Sequence, residues 1–102
     1  MIDWERIDEL KEEVGLDDFV EIASLFLEEV EEILASLSTI QNPAALSDNF
    51  HSLKGSALNL GFSEMARLCA LAEADADPSH ASDIIAIFES SRDGLRQRYP
   101  KL

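Results

Sequence analysis

The sequence predicts an all-α protein: an up-and-down antiparallel four-helix bundle with a short additional N-terminal helix. Apolar residues recur every three or four positions along the 102 residues, and no stretch alternates apolar and polar residues for long enough to suggest a strand. Capping residues, glycines and prolines divide this pattern into five segments with short connections, which favour antiparallel neighbours. Because no linker or repeat interrupts residues 1–102, we expect a single domain with one core.

The first two predicted helices differ in length. Asp3 fits the N-cap of a short first helix and Gly15 fits its end, whereas Asp17 or Asp18 fits the cap of a long second helix. The apolar stripe of the second helix is predicted to comprise Phe19, Ile22, Ala23, Phe26, Val30, Ile33, Leu34 and Leu37. Its opposite face is rich in glutamate, and we interpret this face as solvated surface in preference to an acidic docking site.

The third predicted helix begins at the Asn42-Pro43 pair. Asparagine is a favourable N-cap, and proline is favourable at the first helical position. The apolar pattern runs to Leu60, and Gly61 is a suitable residue just beyond the end of the helix.

Two further helices complete the predicted bundle. Ser63 is the candidate cap of a fourth helix that ends near Ala76. An Asp-Pro pair at residues 77–78 marks a turn, and a fifth helix follows as far as Tyr99.

The charge of the chain restricts its partners. With 21 acidic and 8 basic residues the net charge is -13, which repels nucleic acid and anionic membranes. The opening segment MIDWERIDELKEE has no apolar stretch typical of a leader or a membrane span, so we expect a cytoplasmic protein. A monomer is the default expectation. Residues 1–50 hold 14 acids and 2 bases, a net of -12, whereas residues 51–102 hold 7 acids and 6 bases, a net of -1. Added negative charge is therefore better tolerated in the second half.

Helical geometry places His51 on the outer side of the third helix. At 100° per residue, five apolar positions form one stripe centred about 140° from His51. These positions are Leu46, Phe50, Leu53, Ala57 and Leu60. The residues within about 60° of His51 on the same ideal helix are Ser47, Lys54, Gly55 and Leu58. His51 is therefore predicted to face solvent.

The neighbours of His51 suit an imidazole that receives a phosphoryl group. A glycine inside a helix costs roughly 1 kcal/mol relative to alanine, so the missing side chain of Gly55 needs a reason. On a helix, the residues at i+3 and i+4 lie next to the side chain at i. Gly55 therefore gives clearance for a bulky partner, and Lys54 offers a cation to an anion on the ring. Neutral imidazole is a nucleophile near neutral pH, and it can attack an activated phosphoryl group.

The segment HSLKGS at residues 51–56, followed by NLG at residues 59–61, resembles the H-x-L-K-G signature of histidine-containing phosphotransfer (HPt) domains of bacterial phosphorelays. The similarity continues through SALNLGFSEMARLC and agrees with the length and the five-helix layout. The resemblance implies that His51 accepts a phosphoryl group through Nε2, that Lys54 stabilises it, and that Gly55 gives clearance. The implied partners are a response-regulator receiver domain, which holds Mg²⁺, and a hybrid histidine kinase. It also implies that the chain binds no cofactor and no ATP, and that it is a phosphoryl carrier rather than an enzyme.

The resemblance also implies a docking surface and includes one departure. Receiver docking uses apolar surface around the histidine, which here would include Leu58, with Ser47 on the same side and Ile7 on the first helix. Many members have a small residue before the histidine, whereas this chain has Phe50. The helical angle assigns Phe50 to the edge of the core, so we expect altered packing and an intact function.

Three other interpretations of the sequence have different degrees of support. A metal site is disfavoured because His51, His80 and Cys69 lie on different elements without a ligand pair, and Cys69 fits a small core position. A sensor-kinase dimerisation hairpin is disfavoured because Ser52 follows the histidine and no proline occurs nearby downstream. An acidic helical adaptor that binds a signalling partner without phosphoryl transfer remains open.

Overall fold

The computed structural model describes residues 2–40 and 42–102, without the side chain of Ser38. In this part of the chain the regular structure is helical, which confirms the predicted all-α class. The α-helices are α1 (Trp4–Val14), α2 (Leu16–Ser36), α3 (Pro43–Asn59), α4 (Ser63–Asp75) and α5 (Ala81–Arg98). Short 3₁₀ turns lie at Leu37–Thr39 and Pro78–His80.

Two of the predicted N-caps are confirmed by hydrogen bonds. The Asp3 carboxylate accepts from the backbone N–H of Arg6 at 3.3 Å. The Asn42 side chain accepts from the N–H of Ala44 at 2.9 Å, with Pro43 as the first helical residue. These bonds satisfy amides that have no partner within the first turn of a helix.

The predicted caps of α2 and α4 are wrong by one to three residues. Gly15, with φ of 85°, leads directly from α1 into α2, so Asp17 and Asp18 lie inside the first turn, where their charges still favour the helix dipole. Ser63 is the first residue of α4 and Phe62 precedes it. The Phe62 N–H bonds to the Ala57 carbonyl at 2.8 Å, which fixes the turn and leaves no separate capping position.

The core lies along one face of each helix. In α2 the buried residues are Phe19, Ala23, Leu27, Val30 and Leu34, followed by Leu37 in the 3₁₀ turn. Ile22, Phe26 and Ile33, which the sequence assigned to this stripe, are only half-buried. Compared with the predicted stripe, the buried face of α2 is therefore rotated about the helix axis toward Leu27.

The helices form a chain of neighbours around the core. Helix α2 contacts α3, α3 contacts α4, α4 contacts α5, and α5 contacts α2, while α1 packs on α2. The most extensive contact joins α3 and α4, so these two helices hold each other's side chains in register. The molecule is elongated, with extents of 40 × 21 × 20 Å.

The first residues of the chain form what we call the N-terminal clasp, which consists of Ile2 and Asp3 held against Gly61 and Phe62. Ile2 and Phe62 form an isolated antiparallel bridge, and the Asp3 N–H donates to the Gly61 carbonyl at 2.6 Å. Gly61 has φ of 70°, and a Cβ there would lie 2.6 Å from the Asp3 carbonyl oxygen. Gly61 is therefore required both for its conformation at the end of α3 and for a close backbone approach, of which the sequence indicated only the first.

Candidate functional site

His51 lies on the outer side of α3, as its helical angle predicts. Its side chain is 66% exposed. The apolar residues on the opposite face are all buried, namely Leu46, Phe50, Leu53, Ala57 and Leu60. Phe50 belongs to the interior rather than to the edge of the core, since its exposure is 0%. The residue before the histidine therefore anchors α3, and the imidazole is directed outward.

Glu73 on α4 joins His51 and Lys54 in one network. Its Oε1 atom lies 2.8 Å from His51 Nδ1, and its Oε2 atom lies 3.2 Å from Lys54 Nζ. The Glu73 backbone is held as well, because the Ser47 hydroxyl donates to its carbonyl at 3.1 Å. The network connects the two most closely packed helices and is centred on a carboxylate that is only 29% exposed.

The protonation of Glu73 determines which nitrogen of His51 is free. Partial burial raises the pKa of the Glu73 carboxyl, but hydrogen bonds from Lys54 and His51, together with their charges, outweigh it and hold the pKa below its ordinary value of 4.5. Glu73 is thus ionised at neutral pH and can only accept hydrogen bonds. Nδ1 of His51 must then carry the hydrogen, and in the neutral ring Nε2 keeps the lone pair.

Open space surrounds the outer side of the ring. A Cβ added at Gly55 would meet no heavy atom within 4 Å. Leu58, one turn further along α3, is 56% exposed, and the Lys54 side chain is 30% exposed. An approaching group can therefore reach the imidazole beside a cation and an apolar side chain.

Two residues of the expected docking surface have other surroundings. Ile7 is 0% exposed and lies in the core, so the prediction that it lines the docking surface is wrong. Its position on the buried side of α1 follows from the packing of α1 on α2. Ser47 is half-buried and its hydroxyl is engaged by α4, so a docking role for Ser47 stays a prediction.

The sequence did not single out Glu73, which is the principal residue that it missed. Neighbours of His51 were sought within its own helix, whereas Glu73 lies 22 positions away on the next helix. A signal was available. In an antiparallel hairpin, residues at similar distances from the turn lie level, and the turn at residues 60–62 brings positions in the low seventies close to His51.

The remaining titratable candidates are placed elsewhere. Cys69 is fully buried, as predicted for a small core residue, and this burial raises the pKa of its thiol to about 12 although the Lys54 charge acts in the opposite direction. Nε2 of His80 pairs with Asp75 at 3.0 Å in the 3₁₀ turn before α5.

Among the described residues no group of three or more His, Cys, Asp or Glu side chains is arranged to hold a metal ion. In the same part of the chain, no helix has the length and apolar character needed to cross a membrane.

Comparison with known proteins identifies the family of this chain. The family model of the Hpt domain matches residues 21–98, and the chain belongs to this family. The match begins inside α2 and includes His51, Lys54 and Gly55, while α1 and the N-terminal clasp precede it. No curated protein and no solved structure gives a significant match. The family membership confirms the resemblance drawn from the HSLKGS segment.

Proposed function

We propose that this chain is a phosphorelay intermediate that carries a phosphoryl group on His51. The group arrives from an aspartyl phosphate of a receiver domain and leaves to the aspartate of another receiver domain. Family membership supports histidine phosphotransfer in general. One observation supports His51 as the carrier: its exposed ring has Nδ1 bonded to Glu73 at 2.8 Å, so Nε2 is the atom left to react.

The transfer step follows from this geometry. The Nε2 lone pair attacks phosphorus, the P–N bond forms, and the P–O bond to the aspartate breaks as its carboxylate leaves with the electron pair. The ring gains positive charge, and Glu73 stabilises this charge through the Nδ1 hydrogen, as an acidic partner does for a catalytic histidine. Mg²⁺ on the receiver domain would neutralise charge on the phosphoryl oxygens.

Lys54 and Gly55 serve the phosphoryl group and the partner respectively. The Lys54 ammonium has three donors on a flexible stem and starts 3.2 Å from Glu73, so it can turn toward phosphoryl oxygens on the adjacent ring. Gly55 leaves the approach open, and Leu58 offers apolar contact to the receiver domain. Ser47 contributes at the α4 side of the same surface.

The proposed scaffold is an up-and-down four-helix bundle of α2 to α5 with α1 at one end. The sequence of helix contacts, α2 to α3 to α4 to α5 and back to α2, supports this arrangement. We further propose that the carrier is cytoplasmic and monomeric, that it has no ATP site, and that receiver domains and a hybrid kinase are its partners.

Transfer of label tests the proposal directly. The protein is incubated with a ³²P-phosphorylated receiver domain and Mg²⁺, and acid-labile, base-stable label is measured on the chain. Wild type and a His80→Gln control should take up label, and His51→Gln should take up none. A wild-type chain that binds the receiver without gaining label would instead be an adaptor, and the proposal would be wrong.

A further inference from the structure

A second surface lies on helices that do not carry His51. A groove with a volume of about 390 Å³ runs between the start of α2 and the end of the chain. It is lined by Leu16, Asp17, Val20, Arg98, Tyr99, Pro100 and Lys101. Leu16 is 55% exposed and Val20 and Tyr99 are half-buried, so most of the wall area is apolar and open to solvent. The Tyr99 ring is fixed from below by Phe19, at 5.0 Å between ring centroids.

The basic residues of the chain are distributed unevenly. Five of the eight have a carboxylate oxygen within 4 Å, namely Arg6, Lys11, Lys54, Arg67 and Arg92. Among the described residues the other three, Arg96, Arg98 and Lys101, have no side-chain carboxylate at that distance, and all three lie at the end of α5 or just after it. In a chain of net charge -13, the described cations that have no side-chain carboxylate partner thus lie at the end of the molecule that carries the groove.

The two cations that line the groove are available to a ligand. The Arg98 guanidinium lies over the Trp4 ring, 4.7 Å from its centroid, and the residue is exposed, with no hydrogen bond or ion pair to its side chain among the described residues. Lys101 is exposed beside Pro100. Arg96, in contrast, donates to the Leu102 backbone oxygen at 3.0 Å and is occupied by the chain itself.

From these observations we infer that the groove is a docking site for an acidic protein segment that carries one large apolar side chain. The apolar side chain packs against Leu16, Val20 and Tyr99, and flanking carboxylates pair with Arg98 and Lys101. A small molecule fits less well, because an open groove with exposed walls leaves much of it in water, whereas a protein segment covers the rim with its own atoms. A second copy of this chain is disfavoured because it would bring another net charge of -13.

Asp17 on the opposite wall defines the orientation of the segment. Its exposed carboxylate repels acidic groups on the α2 side of the groove, so the carboxylates of the segment must lie toward the α5 side. This arrangement separates charge recognition from apolar contact across the width of one groove.

The inference is tested by titrating the ¹⁵N-labelled full chain with the acetylated peptide EEFEE and following backbone amides by NMR. The amides of Leu16, Val20, Tyr99 and Lys101 should shift in a saturable manner. The peptide EEAEE lacks the aromatic ring, and KKFKK reverses the charge. Each should bind at least about tenfold more weakly than EEFEE. Shifts located elsewhere, or equal shifts with KKFKK, would overturn the inference.

Variants give an independent readout. The double variant Arg98→Glu/Lys101→Glu should lose about tenfold in affinity for EEFEE, and Leu16→Asp should lose the apolar contribution. Arg67→Glu changes the charge of a paired cation on α4 and should bind as wild type, as should His51→Gln, which separates this test from that of the phosphoryl carrier. If the same amides shift on concentrating the protein without peptide, a second copy occupies the groove and the acidic partner is wrong.

Discussion

Gly55 and Gly61 lie six residues apart, one inside α3 and one just past its end, and their surroundings are opposite. Around Gly55 a Cβ would meet open space, whereas at Gly61 it would lie 2.6 Å from the Asp3 carbonyl oxygen. The space beside Gly55 is open to a molecule outside the chain, whereas the space beside Gly61 is occupied by the backbone of Asp3. Because Gly55 costs helical stability without an internal contact, it supports the proposal that another molecule docks on this surface.

The largest expected effect is on protein stability and comes from substituting Gly61, where the chain itself fills the space. Gly61→Ala places a methyl group against backbone at a positive φ and should lower the free energy of unfolding by about 2–4 kcal/mol. Gly15 is the matched control, because its φ is 85° but a Cβ there meets nothing within 4 Å. Gly15→Ala, at φ 85° and ψ 161°, should cost about 1–3 kcal/mol from backbone strain alone. Denaturant unfolding measures both, and equal losses would show that the close approach to Asp3 contributes nothing.

The next largest effect is on the rate of phosphoryl transfer at His51, which lies beside the open space at Gly55. Glu73→Gln keeps an oxygen that can accept from Nδ1 but removes the charge that fixes the hydrogen there. Transfer from a phosphorylated receiver domain should slow by about tenfold to a hundredfold. Glu64→Gln, on the same helix, removes a carboxylate that is paired with Arg67 instead and should leave the rate unchanged. An unchanged rate in Glu73→Gln would remove Glu73 from the mechanism.

Substitution of Gly55 tests whether the open space beside His51 is needed for transfer. Gly55→Gln should slow transfer by about tenfold because the new side chain obstructs the receiver domain, while the helix gains up to about 1 kcal/mol. Gly55→Ala, which adds only a methyl group in open space, should gain stability and keep most of the rate. Stability is measured by thermal unfolding and transfer by label. A Gly55→Gln rate equal to wild type would contradict the clearance interpretation.

The smallest effect concerns pH. The pKa of Glu73 is lowered by folding, so its ionised form stabilises the folded state above the ordinary carboxyl value of 4.5, and this stabilisation is lost as the pH falls through the lowered folded value. The stability of Glu73→Gln should lie below wild type at pH 6, and the two curves should converge in acid. Parallel curves down to pH 3 would show that Glu73 makes no net contribution to folding.

The sequence predicted the parts of this molecule that depend on local spacing. Helical period, the Asp3 and Asn42 caps and the angle of His51 on its helix are properties of residues near one another in the chain, and the structure agrees with them. Asp17 and Asp18 are a local exception, because Gly15 leads directly from α1 into α2. The other exceptions depend on contacts across the fold. Phe62 replaces Ser63 as the residue before α4 because it is fixed to α3 and to Ile2, and Ile7 is buried because α1 turns that side toward the core.

The candidate site divides in the same way. Lys54 and Gly55 could be found because they are i+3 and i+4 neighbours of the histidine on a single helix. Glu73 belongs to another helix, and its contact with His51 requires the register of α3 against α4, which apolar spacing alone leaves undetermined. The carboxylate that leaves Nε2 of His51 to react in the proposed function therefore lies outside the sequence motif that singled out His51.

The N-terminal clasp has a consequence for the order of folding. A hydrogen bond between residues 3 and 61 closes a loop of 58 residues, and the entropy of such a closure is on the order of 3–4 kcal/mol. One backbone hydrogen bond contributes only about 1 kcal/mol, so this bond forms only when the helices between its ends are already packed. Because this bond can also break without unpacking the helices, the amide of Asp3 should exchange with solvent faster than amides in the interior of the bundle.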